Sequence, residues 1–150
     1  MAPVQVNARD WTFLIRDPAV QDPASASYWV EIGGITSMEI SPDAEDVDTT
    51  TFASKGAAEH QIMQRSLEIT LEGRYLEDAT GKRDKGQELV EKLADQLGEA
   101  SLGQLRVVRP SGRKRDHIVS AKLGEVSGEN NDKTAWSVTL TRSGASVEVA

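Results

Sequence analysis

The sequence predicts a mainly β fold, a β-sandwich or partly closed barrel with one flanking α-helix. Three observations predict it. Several segments alternate apolar and polar residues with the period of two that sets one strand face on a core. Only one segment carries a helical stripe, and turn residues interrupt the chain at short intervals. At 150 residues the chain reads as a single domain, residues 1–150, long enough to enclose one core. Hydrophobic residues at 38% and charged residues at 27% are an ordinary globular balance, away from the composition of disordered chains.

Trp11 to Arg16 is the first predicted strand, with Trp11, Phe13 and Ile15 on one face, and Asp17-Pro18 ends it. A loop at Asp22–Ser27 leads to Tyr28–Ile32 and Ile35–Ile40, read as a hairpin turning on Gly33-Gly34. From Ser41 to about Gly56 the periodicity stops: Pro42, five carboxylates from Glu39 to Asp48 and three successive threonines predict a long loop. Loops of that length are functional or disordered. Glu59 to Leu76 is a long strand with one wet face, since Leu67, Ile69 and Leu71 alternate with Glu68, Thr70 and Glu72. Lys85 to Leu97 is the helix, with Leu89, Val90, Leu93 and Leu97 on one stripe. Asp84 caps its start with Gln87 three residues on, and Gly98 supplies a left-handed stop. Leu105–Arg109 turns at Pro110–Gly112 into Asp116–Val126, and Gly128–Lys133 turns into Ala135–Arg142. The last residues suffice for a tail or one extra strand.

The net charge of −7 repels phosphate and disfavours a nucleic-acid-gripping surface; it suits a surface that DNA slides past, and equally an ordinary acidic soluble protein. The absence of cysteine excludes disulfides and thiolate chemistry. No run reaches the length of a membrane span, and Met1–Val6 lacks the basic and apolar parts of a signal peptide, so the expectation is a protein made and used in a cytosol.

Residues for catalysis are scarce, and the expectation is no enzyme and no cofactor. His60 and His117 lie in no metal spacing and read as surface residues; no phosphate loop is present. Asp43, Glu45, Asp46 and Asp48 offer oxygen ligands, but the glycine bend and closing glutamate of a calcium loop are missing, and no metal is assigned. Arg106, Arg109, Arg113, Lys114 and Arg115 form a basic hairpin with no aromatic platform for nucleic acid. Acidic loop and basic hairpin in one chain suggest a head-to-tail contact between copies, against the alternative that both are merely solvated. Trp11, Trp29 and Trp136 sit on predicted strands and read as core; exposed, they would instead suit a ligand-binding β-sandwich.

The order of features resembles the major tail tube proteins of long-tailed (siphovirus-type) bacteriophages. The resemblance covers most of the chain and rests on Trp29-Val-Glu-Ile-Gly-Gly-Ile-Thr-Ser37, the Thr- and Asp-rich stretch after it, Arg65–Asp78, Asp84–Leu89 and Lys133–Leu140. It implies a sandwich with a flanking helix, hexameric rings stacked into a tube in a virion assembled in the host cytoplasm, and DNA passing through the lumen unbound. It also implies partners: further copies, a tape measure protein, and tail tip and terminator proteins. On the resemblance, the stretch at about residues 41–58 is an assembly loop reaching adjacent subunits, with Asp43, Glu45, Asp46 and Asp48 on it and Phe52 as its apolar anchor, and Ser41–Gly56 is expected to be mobile in a free subunit. Glu39, Ser66, Glu68, Thr70 and Glu72 are assigned to the channel wall, with the tube exterior as the rival. The inner tube of a contractile tail or injection device remains an alternative.

Overall fold

The computed structural model describes residues 2–149. Its strands are β1 (Thr12–Arg16), β2 (Trp29–Glu31), β3 (Ile35–Asp48), β4 (His60–Arg74), β5 (Leu102–Val108), β6 (Lys114–Leu123), β7 (Ala135–Arg142) and β8 (Val147–Val149), with one α-helix, α1 (Lys85–Ala94). All eight strands join one antiparallel sheet in the order β2-β1-β5-β6-β7-β4-β3, with β8 beside the start of β6. The sheet curls, so that the short turn Ala8–Asp10 before β1 packs near β3, but no ladder joins β2 to β3. It is therefore a curled sheet that stops short of a closed barrel.

Strand alternation supplies the core. Phe13 and Ile15 of β1, Leu105 and Val107 of β5, Val119 of β6, Trp136, Val138 and Leu140 of β7, and Ile69 and Leu71 of β4 meet inside the curl, where Val90 of α1 joins them. Side chains of this size each gain about 1.5–3 kcal/mol from full burial, so this one cluster dominates stability.

The helix is seated by two polar residues. Asp84 caps it, accepting from the Gln87 amide at 3.2 Å, and also accepts from the Gly33 amide at 3.1 Å. The fully buried Gln87 side chain donates to the carbonyls of Gly33 (3.0 Å) and Arg74 (2.7 Å) and accepts from the Leu76 amide (3.2 Å). These bonds join α1 to the crossover before β3 and to the end of β4.

Several expectations are corrected. Gly33-Gly34 is no hairpin: β2 pairs with β1 and β3 with β4, so the glycines carry the chain from one sheet edge to the other. Gly34, at φ 74°, passes so close to β4 that a Cβ on Gly73 would lie 2.2 Å from its carbonyl oxygen. The helix ends at Ala94, and Gly98, left-handed at φ 63°, opens a separate 3-10 turn instead of stopping it. Of the tail or one extra strand expected after Arg142, the structure shows the strand, β8. The largest correction is that Ser41–Asp48 is not loop but the second half of β3.

Candidate functional site

Beyond the Ser41–Glu68 pair, β4 loses its second neighbour: β7 pairs only with Glu68–Arg74. From Pro42–Leu67 to Asp48–His60 the two strands continue alone as a ribbon, about 20 Å long at ~3.3 Å per residue, and Thr49–Glu59 closes its tip. The sequence hid this arm because beyond Leu67, which still packs against the core, neither of its faces is covered, so burial imposes no apolar alternation. Asp43, Glu45, Asp46 and Asp48 therefore lie on an exposed extended strand, and Phe52 stands fully exposed at the tip. Val47, Ile62 and Met63 are exposed along the same ribbon. Met63 falls at a register shift, where Glu45 pairs with Gln64 and Asp46 with Ile62.

The tip is internally fixed. Glu59 and Thr50 exchange bonds, the Thr50 hydroxyl accepting from the Glu59 amide at 2.8 Å. Thr51 and Ser54 cap the 3-10 turn Phe52–Ser54 reciprocally, and Lys55 (φ 52°) and Gly56 (φ 84°) reverse the chain. Asp48 accepts from the Thr50 amide at 2.8 Å; the Thr50 hydroxyl and then its amide hold the Asp48 carboxyl below the usual range.

On the sheet face turned away from the core, register aligns four strands' polar residues. Glu72 lies between Ser37 and Ser137; Thr70 between Glu39 and Thr139, which adjoins Lys122; Glu68 between Ser41 and Thr141, which adjoins Ser120; and Ser66 faces Asp43. The assigned set Glu39, Ser66, Glu68, Thr70 and Glu72 is thus brought onto one surface of hydroxyls and carboxylates, extended by residues of β7 and β6 that sequence alternation alone did not connect. Four of its members are acidic and one, Lys122, is basic.

The basic hairpin is divided. Arg106 belongs to the fold: its guanidinium forks onto Asp116 at 2.8 and 3.0 Å and lies over the Trp29 ring, 4.3 Å from the centroid. Arg109, Arg113, Lys114 and Arg115 form no salt bridge among the described residues. Because β3 and β5 run the same way across the alternating sheet, this turn and the arm emerge from the same end. A head-to-tail contact between them therefore falls between side-by-side neighbours, as in a closed ring, more readily than between copies stacked end to end.

The histidines also separate. His60 is exposed on the arm, 3.6 Å from Asp46. His117, read as a surface residue, is buried with Nδ1 2.8 Å from the Ser146 Oγ, which accepts from Arg142 at 2.8 Å. Burial first, then the charges of Arg142 and Arg115, lower its pKa, and it ties the segment before β8 to the sheet. Trp136 is core, donating to Glu91 at 3.2 Å, whereas Trp11 and Trp29 are half-buried.

No family model and no curated protein matches this chain. Solved structures share its fold. A chain from the virion of a native gene transfer agent particle matches with a TM-score of 0.70 and 18% identity, over 97% of this chain and 100% of that one. A chain from the tail of an empty gene transfer agent particle, refined helically with C6 symmetry, matches with a TM-score of 0.70 and 20% identity over the same shares. A chain from the six-fold symmetrised baseplate of the anti-feeding prophage matches at 0.58 and 9%, over 98% of this chain and 97% of that one.

Proposed function

We propose that this chain is a non-enzymatic structural protein of a phage-type tail, the tube subunit that forms six-fold rings stacked around a DNA channel in a virion. The observation that carries the reading is the four-stranded polar face, in a fold shared with a chain of a C6-symmetric tail. A wall of Glu39, Glu68, Glu72 and hydroxyls repels a phosphate backbone and gives it no anchor. The sheet's two edges supply the joining surfaces. The outer edge of β3 and the free edge of β2 have no second partner among the described residues, an arrangement that invites pairing with another chain. Repeating that contact six times closes a ring without edges.

The arm and its tip then reach from one ring to another, and Arg109, Arg113, Lys114 and Arg115 face the acidic arm of a lateral neighbour. A tape measure protein and the tip and terminator proteins are the further partners of such a tube. A second reading, the inner tube of a contractile tail or injection device, draws on the likeness to the baseplate chain; it keeps the rings and adds a sheath outside them. Negative-stain electron microscopy of concentrated protein tests the proposal. Hollow tubes or six-fold rings are expected, and a particle that stays monomeric even when seeded with tail tips would move the assignment to a ligand-binding sandwich.

A further inference from the structure

At the end of the sheet opposite the arm, β1 leaves β5 early. Their ladder stops at Ile15–Leu105, and Asp17 instead donates its amide to Tyr28. The first residues of β5 are left beside a groove of 710 Å³ roofed by the second half of α1. Ile15, Leu89, Leu93, Leu102 and Ile118 line it, with Arg16 on its wall. Leu102 and Ile118 keep 43% and 45% of their surface exposed, an apolar lining this chain itself does not cover. The Arg16 Nε is buried without a hydrogen-bond partner, which is costly unless an acceptor arrives.

We propose that this groove receives the arm tip of a second copy stacked in the same orientation, with Phe52 among the apolar side chains and a tip carboxylate, Asp48 or Glu59, bonded to Arg16. The inference rests on the tube reading and names the receptor that reading leaves unspecified. Three features select this occupant. Arm and groove lie at opposite ends of the strands, so stacking a copy along them, turned so that its β3–β4 edge lies over β1 and β5, brings one toward the other. The tip presents a fully exposed aromatic on a turn already fixed by its own hydrogen bonds, so little ordering cost remains to be met on docking. The tip brings the carboxylates of Asp48 and Glu59 beside a single cation, Lys55, while the groove wall holds Arg16, which lies over the Tyr28 ring at 4.9 Å from its centroid and forms no salt bridge among the described residues.

The cysteine-free chain permits a direct test. Ala53 and Gln96, on tip and groove rim, are both exposed. Their replacement together, A53C with Q96C, is expected to give on oxidation a ladder of disulfide-linked multimers in assembled protein, whereas either single change stops at a dimer. Phe52→Ala is expected to raise the concentration needed for assembly about 10- to 30-fold, the loss of one buried aromatic. Ile118→Glu, at an exposed position, acts from the other side of the contact. Tubes that form without a ladder, or with Phe52→Ala assembling as readily as the unaltered chain, overturn the groove assignment and leave the tube reading standing. A ladder obtained with V4C and Q96C instead gives the groove to the amino-terminal segment and likewise overturns it. Absence of any assembly overturns both readings.

Discussion

Gln87 is the residue whose loss is best worked from the structure. Leucine in its place keeps the volume and removes the polar atoms, so Gln87→Leu isolates the hydrogen bonds. The carbonyls of Gly33 and Arg74 and the amide of Leu76 lose their partner together, and the Arg83 guanidinium loses an acceptor at 3.1 Å. An unsatisfied buried group costs about 1–3 kcal/mol. Water reaches the Arg83 side and part of the Arg74 turn, so the total is about 3–5 kcal/mol, about a fifth or more of a stability of about 5–15 kcal/mol. With a urea slope of about 2 kcal/mol/M, the midpoint falls by about 1.5–2.5 M at unchanged slope. Tryptophan fluorescence follows the transition, since Trp136 is buried against α1 through Glu91. A midpoint shift below about 0.5 M would refute the idea that Gln87 fastens helix, crossover and β4 together.

Gly86 has no room for a methyl group, since a Cβ there would lie 2.2 Å from the Glu31 carbonyl oxygen; Gly86→Ala is expected to displace α1 and cost about 2 kcal/mol or more by denaturant unfolding. Asp17 is buried, accepts from the Ala19 amide at 3.0 Å and pairs with Lys85 at 3.0 Å, and the backbone bond first and Lys85 second lower its pKa. A lowered carboxylate stabilises above its unfolded pKa of about 4 and loses that contribution as pH falls through the folded value; Asp17→Ala should lower the melting temperature at pH 7 and converge with the unaltered chain in acid. Hydrogen exchange should separate the arm from its base: the amides of 43–48 and 60–67 exchange faster than those of Ile69–Leu71 in the free chain and slow on assembly. Core-like protection of the arm in the free chain would contradict its description as a two-stranded ribbon.

What the sequence disclosed follows burial. β1, β7 and the inner half of β4 were legible because a one-sided core forces alternation at Phe13 and Ile15, at Trp136, Val138 and Leu140, and at Ile69 and Leu71. The start of α1 was legible because Asp84 caps it as its spacing with Gln87 suggests. The arm was not, since Asp43–Asp48 satisfy their backbone in a ladder while burying nothing, and Pro42 reads as a breaker although it sits where only one neighbour strand is present. The pairing of β2 with β1 was missed because Gly33-Gly34 has the composition of a turn, and only the close passage past Gly73 reveals the crossover. For the polar face, sequence alternation gave the β4 members, but the alignment with Thr139, Thr141, Lys122 and Ser120 depends on strand order and register, which are non-local.

The arm also bears on why the chain tolerates so exposed a segment. A ribbon of two strands is marginal by itself in water, and this one gains no apolar burial along Pro42–Asp48 while holding Phe52, Ile62 and Met63 in solvent. Two features retain it: its root is continuous with the packed part of β3 and β4, and its tip is closed by the Thr51–Ser54 capping box and the Thr50–Glu59 bonds. Its acidic residues make pairing with the identical ribbon of another copy repulsive, a protection that exposed edges commonly require. The same charges leave open a contact with a basic or guanidinium-bearing surface. An arm so arranged resists indiscriminate edge pairing yet presents a preformed apolar tip, and the ends of the molecule differ: one projects Phe52 and the other carries an open apolar groove. In the proposed tube, ends that complement each other and open lateral sheet edges together favour growth in one direction along the strands and closure across them.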